Sequence, residues 1–257
     1  INLDLAKGIP MLRLVQGDVG CGKTIVAALS AVAVIENGGQ VALMAPTELL
    51  AEQHYQQFKR WLSFLNITVG WLPGKLPARI KRETRSKIID GSLSMVIGTH
   101  ALIQEGVEFK SLALVIIDEQ HRFGVYQRLN LKSKGESRSF VPHQLIMTAT
   151  PIPRSLAMSA YGDLDHSIVD ELPPGRKPIQ TALVDESRRD QVIGRVIENC
   201  KTGCQVYWVC TLVEESEVLQ CQAAESTYES LKNNMPDCVV ALIHGRMRSD
   251  EKEKKAS

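Results

Sequence analysis

Gly17-Asp18-Val19-Gly20-Cys21-Gly22-Lys23-Thr24 is a complete G-x-x-x-x-G-K-[ST] match, and its flanks decide how the chain folds around it. Residues 11–16, just before it, form a short apolar run that reads as a buried strand. Residues 25–35, just after it, are almost all Ala, Val, Leu and Ile, the composition of a helix packed on a sheet. In a strand, glycine loop and helix of this kind, successive backbone N–H groups face inward and cradle phosphate oxygens, helped by the positive end of the helix. The backbone of Gly17, Asp18, Val19, Gly20, Cys21 and Gly22 is therefore expected to hold phosphate. Lys23 is expected to reach the β- and γ-phosphates of a nucleoside triphosphate, and the Thr24 hydroxyl to ligate Mg²⁺.

Working outward, apolar runs alternate with helical patterns. Residues 41–45, 68–72, 94–98, 112–117 and 144–147 are strand candidates. Between the first two, Ala51, Tyr55, Phe58 and Leu62 mark one face of a helix, and Thr47 stands where its N-cap belongs. Such alternation predicts an α/β fold, a parallel sheet with helices on both faces, whose ligands collect beyond the carboxyl ends of the strands. Near residue 170 the texture changes. Asp170-Glu171-Leu172-Pro173-Pro174-Gly175-Arg176-Lys177-Pro178 carries three prolines and a glycine, which reads as a linker over 171–178 between a first domain at 1–170 and a second at 179–257. Strand candidates in the second are 179–184, 205–209 and 239–243, enough for the first half of a doubly wound domain.

The bulk numbers exclude several classes. With 257 residues, 44% of them apolar and 23% charged, the chain is an ordinary globular protein rather than a disordered one. Its longest apolar run, 112–117, is far short of a membrane span and no signal peptide opens it, so a cytoplasmic location without membrane contact is expected. Cysteines at 21, 200, 204, 210, 221 and 238 form no CxxC pair, and reduced thiols are expected rather than zinc or disulfides. A net charge of +1 neither requires nor excludes nucleic acid, because a binding stripe is a local property. The start at Ile1 and the charged run at 251–255 read as the limits of a piece of a longer protein.

A triphosphate site also needs an acidic residue at the end of a neighbouring buried strand. Residues 112–119 supply two, an apolar run ending in Asp118 and Glu119. Asp118 is expected to face the Mg²⁺ shell and Glu119 to polarise the water that attacks the γ-phosphorus, so hydrolysis is the expected chemistry.

These residues carry a family resemblance. Asp118-Glu119-Gln120-His121 resembles the Walker B box of superfamily-two helicases, and Thr148-Ala149-Thr150 the motif that links nucleotide state to domain movement. Residues 45–54 and 98–102 resemble the two strand-end motifs that grip the nucleic-acid backbone. More narrowly, residues 16–24, 118–124 and 147–154, with Leu172-Pro173-Pro174-Gly175-Arg176 and His244-Gly245-Arg246-Met247, resemble the RecG family of branched-DNA helicases over essentially the whole chain.

The resemblance implies a RecA-like P-loop domain followed by the first part of a second one, working as a monomer on forked or branched DNA alongside replication and recombination proteins. It implies ATP and Mg²⁺ as cofactors, coupling through Gln120, His121, Thr148 and Thr150, and DNA contacts at Thr47, Thr99 and His100. From the residues alone Thr47 reads equally as a plain helix cap, His121 as a histidine packed behind its strand, and the two threonines as ordinary strand-end residues. The basic segment from Lys75 to Lys87 reads as a solvated helix face. The resemblance also implies that an arginine worth ~10³ or more in rate lies beyond Ser257, and that adenine recognition and a DNA-wedge domain lie before Ile1. The chain alone is then expected to bind Mg²⁺-nucleotide, to hydrolyse little and to unwind nothing. The alternatives are the double-stranded DNA translocase module of the transcription-repair coupling factor, which shares the 121–124 and 148–154 patterns, and a non-motor nucleotide switch. Gln16 and Gln120 favour RecG over the first.

Overall fold

A computed structural model of the protein describes residues 1–74, 76–102, 106–119, 141–150, 164–173, 175–177, 179–210, 217–244 and 247, with the backbone alone at His100 and at 217–223. The chain divides into two compact units, residues 1–177 and residues 178–257.

After a single turn of helix at Asn2–Leu5 (α1), the first unit alternates strand and helix. It runs β1 (Leu12–Gly17), α2 (Lys23–Glu36), β2 (Gln40–Met44), α3 (Glu48–Leu62), β3 (Val69–Leu72), α4 (Ala78–Ile89), β4 (Met95–Gly98), β5 (Leu112–Asp118), β6 (His143–Thr148) and β7 (Asp165–Val169). The seven strands form one sheet in the order β3-β4-β2-β5-β6-β1-β7, and every pairing is parallel. Its central strands are apolar because both faces are covered, β2 being buried at all five positions. Alternate residues serve opposite faces. Val41, Leu43, Leu114 and Ile116 pack with Ala27, Ala31 and Val34 of α2 and Phe58 and Leu62 of α3. Ala42, Met44, Val115 and Ile117 pack with Ile88 of α4, Leu72 and Leu102.

The six strands anticipated in this unit form within a residue or two of the expected positions. The seventh, β7, was not anticipated. Asp165, His166 and Ser167 give it no apolar run, because β7 stays partly exposed; its ladder to β1 holds it, from Arg13↔Asp165 to Gly17↔Val169.

The second unit corrects the sequence reading. Among its described residues there are two longer helices, α5 (Arg189–Lys201) and α6 (Glu217–Asn234), and no strand at 179–184, 205–209 or 239–243. Leu183 and Val239 are fully exposed, and Ile179, Tyr207 and Val209 nearly so. A β-branched, apolar stretch becomes a strand only by hydrogen bonding to a neighbour, and these segments make no ladder. A small cluster instead holds the unit: Ile193, Leu231 and Met235, with Val196, Ile197, Trp208, Cys238 and Val240. No helix among the described residues is long and apolar enough to cross a membrane.

Candidate nucleotide and nucleic-acid site

The glycine loop joins β1 to α2. Gly22 is the N-cap of α2 with φ +98°, and Gly20 has φ +84°, conformations that cost any residue with a Cβ. Gly17 is needed for a different reason: a Cβ there would lie 2.9 Å from the Val169 carbonyl oxygen of β7 and 2.5 Å from Cys21 Sγ. Lys23 Nζ donates to the carbonyls of Gly17 at 2.8 Å and Asp18 at 2.9 Å, so the ammonium is folded onto its own loop. Asp18 Oδ1 accepts from Val19 N–H at 2.7 Å. Thr24 is half-buried in the first turn of α2.

Part of the segment read as a linker folds back on this loop. Arg176 Nη1 lies 2.8 Å from Asp18 Oδ2 and donates to the Val19 carbonyl at 3.1 Å. Pro173 lies against Gly20, where an added Cβ would meet its ring at 3.3 Å.

β5 carries the two carboxylates out of the sheet. Asp118 Oδ2 lies 2.7 Å from His54 Nε2 of α3, with side chains 14% and 11% exposed. The ring's Nδ1 is buried and makes no hydrogen bond among the described residues. Glu119 has φ +51°, a left-handed conformation that costs a residue with a Cβ about 1–3 kcal/mol. Its backbone N–H donates to the Met147 carbonyl at 2.9 Å. Its Oε2 accepts from Thr148 Oγ1 at 3.1 Å, and its Oε1 from Ala149 N–H at 3.0 Å, while Thr150 N–H donates to Thr148 Oγ1 at 3.1 Å. The strain is thus offset by a ring of bonds joining the ends of β5 and β6.

Sequence reasoning passed over two of these contacts. It quoted His54 inside a strand-end motif and gave it no role; the available signal was its place beside Ala51 and Phe58 on the buried face of α3. The link between the carboxylates and residues 148–150 was expected through His121, and Glu119 makes it directly. Gln120 and His121 lie outside the described residues, as do Arg122, Phe123, Gln127 and Arg128.

On the other half of the sheet, Thr47 caps α3, its Oγ1 accepting from Leu50 N–H at 3.3 Å. Thr99 follows β4 and is buried, with a hydroxyl that has no hydrogen bond among the described residues. His100 starts a turn of 3₁₀ helix at His100–Leu102. α4, which carries the basic residues from Arg79 to Lys87, buries only Ile88, as a solvated face does; Lys75 lies outside the described residues.

Strand order sorts all of these along one carboxyl edge. Thr99 directly follows β4, Thr47 lies in the loop after β2, Asp118 closes β5 with Glu119 next, Thr148 closes β6, and β1 runs into the glycine loop. Three strand spacings separate β2 from β1, ~14 Å at about 4.8 Å each. Among the described residues no group of three or more His, Cys, Asp and Glu forms a metal cage. One carboxylate and one hydroxyl are hard oxygen donors that suit Mg²⁺ arriving with phosphates, a cation that otherwise keeps its waters.

Comparison with known proteins agrees with this arrangement. A model of the DEAD/DEAH box helicase family matches residues 6–159. The ATP-dependent DNA helicase RecG of Haemophilus influenzae is 59% identical over 254 residues, and that of Escherichia coli 58%, each alignment covering 98% of this chain and 37% of the relative. The RecG of Aquifex aeolicus is 51% identical over 97% of the chain and 31% of its own length. The chain therefore spans about a third of these relatives. Among solved structures, RecG bound to a three-way DNA junction superposes with a TM-score of 0.75 at 42% identity, over 98% of this chain and 32% of that one. The helicase MrfA bound to DNA, at 17% identity and a TM-score of 0.70 over 98% of this chain and 38% of its own, shares the fold. The chain belongs to the DEAD/DEAH box helicase family, and RecG helicases match it along nearly its whole length.

Proposed function

We propose that this chain is the ATP-binding part of the motor of a helicase that acts on branched DNA, in the cytoplasm, with Mg²⁺ as the nucleotide's counter-ion. One observation carries the reading: phosphate-type residues and strand-end threonines share one sheet edge, where Glu119 is hydrogen-bonded to Thr148 and Asp118 to His54 of the helix that Thr47 caps. The glycine loop takes the β- and γ-phosphates, with Lys23 exchanging its two carbonyl partners for phosphate oxygens. Thr24 and Asp118 would hold Mg²⁺, which would supply positive charge beside the phosphates. Glu119 orients the attacking water while its carboxylate, which has about four acceptor sites, also accepts from Thr148 and Ala149. The attacking water and the end of β6 then share one carboxylate, which couples hydrolysis to movement. Thr47, Thr99 and His100 contact the DNA backbone and read no bases, as a motor requires.

The test is ATP turnover by this chain and by a version extended along the relatives' length, each with and without forked DNA. Turnover confined to the extended protein and accelerated by forked DNA supports a motor divided between two domains. Equal turnover by the chain alone, indifferent to DNA, refutes it in favour of a nucleotide switch.

A further inference from the structure

The bond between His54 and Asp118 joins the two halves of the edge. It brings a side chain from the helix that Thr47 caps onto the carboxylate assigned to Mg²⁺, across 64 residues of sequence. We propose that His54 is a positioning residue: it fixes the Asp118 carboxylate for the Mg²⁺-nucleotide and transmits the position of α3 to it. The proposal rests on the reading of Asp118 as the metal-side carboxylate.

Three observations carry it. First, with Nε2–H donating, Oδ2 is occupied and Oδ1, which has no hydrogen bond among the described residues, is left for a hydrated cation. A carboxylate held through its second oxygen is the usual outer support of a metal ligand. Second, His54 is costly as mere filling. Its Nδ1 is buried without a hydrogen bond among the described residues, which an apolar residue of similar size would avoid. Third, α3 is anchored as a rigid body by Ala51, Phe58 and Leu62, all buried. Thr47 precedes His54 by seven residues, about 10 Å of helix, so a backbone phosphate that shifts the capped end shifts the imidazole.

The experiment titrates Mg²⁺ against binding of a fluorescent ATP analogue by the 257-residue chain, alone and with forked duplex DNA, for wild type, His54→Ala, His54→Gln and Asp118→Asn. His54→Ala is expected to need about tenfold more Mg²⁺ for half-maximal binding, a larger loss than in Mg²⁺-free affinity, and to lower the thermal midpoint, since it leaves a cavity beside Phe58 and takes the donor from Asp118. His54→Gln, whose amide can donate to Asp118, is expected to recover most of the loss. Forked DNA is expected to shift the Mg²⁺ midpoint in wild type and not in His54→Ala. A change under about twofold in His54→Ala overturns the proposal. So does an equal loss of Mg²⁺-free binding without rescue by Gln, which marks a purely structural histidine. Absence of a DNA-induced shift in wild type overturns the transmission from α3. If wild type gains nothing from Mg²⁺ and matches Asp118→Asn, the reading of the site itself has failed, and this inference with it.

Discussion

His143, at the start of β6, accepts a hydrogen bond at Nδ1 from Met11 N–H at 2.9 Å, which requires that nitrogen to be unprotonated. Burial pushes its pKa below the ordinary histidine value. A folded pKa below the unfolded one makes the unfolded chain bind more protons, so this stabilisation is complete above about pH 6.5 and is lost as pH falls from there toward the folded value. The thermal midpoint should drop between about pH 7.5 and about pH 5.5, and His143→Gln should remove that share of the drop. At the nucleotide site, Lys23→Ala should weaken ATP binding at least about tenfold while leaving the fold intact, because the lysine's present partners are two carbonyls that water can satisfy. Sequence made Lys23, Thr24, Asp118 and Glu119 legible because their spacing along the chain is itself the signal. His54 was not legible, since its partner is supplied by the fold. The double hydrogen bond of Glu119 was hidden for the same reason.

Elements are held by contacts of a different kind. Gln40 at the start of β2 donates from Nε2 to the carbonyls of Ile88 at 3.0 Å and Leu93 at 2.8 Å, and accepts at Oε1 from Ser111 N–H at 2.9 Å. One buried side chain thus fixes where α4 ends and where β4 and β5 begin. Gln40→Leu leaves the buried Leu93 carbonyl without this donor and removes one of two donors to Ile88, whose carbonyl keeps Gly91 N–H, and should cost about 1–3 kcal/mol in denaturant unfolding. Thr47→Ala should cost about 1 kcal/mol by uncapping α3, with Thr47→Ser close to wild type; weaker DNA binding in the Ala variant alone would tie the cap to the contact. Strands β1 to β6 were readable because burial on both faces imposes apolar runs. β7 was not, because its residues stay partly exposed, whereas β3 at the opposite edge is buried and keeps its apolar run. The segments 179–184, 205–209 and 239–243 have strand-like side chains without strand partners, a distinction that no one-dimensional pattern contains.

At the scale of the whole molecule, a net charge of +1 means that any attraction to DNA is local. Binding of forked DNA should therefore weaken as salt rises, with a shallow slope set by a few phosphates, and should not change when the base sequence is scrambled; filter binding across a salt series checks both. The Arg176 contact with Asp18 and Val19 has a separate consequence. Lys177 is followed by Pro178, which blocks tryptic cleavage there, so the bond after Arg176 is the one that trypsin can cut in this stretch. The protease must draw the arginine into its own specificity pocket, and the phosphate loop already holds it. Cleavage at this bond becomes a clock for the loop: slow while Arg176 is engaged, faster whenever nucleotide rearranges Asp18 and Val19 enough to release it.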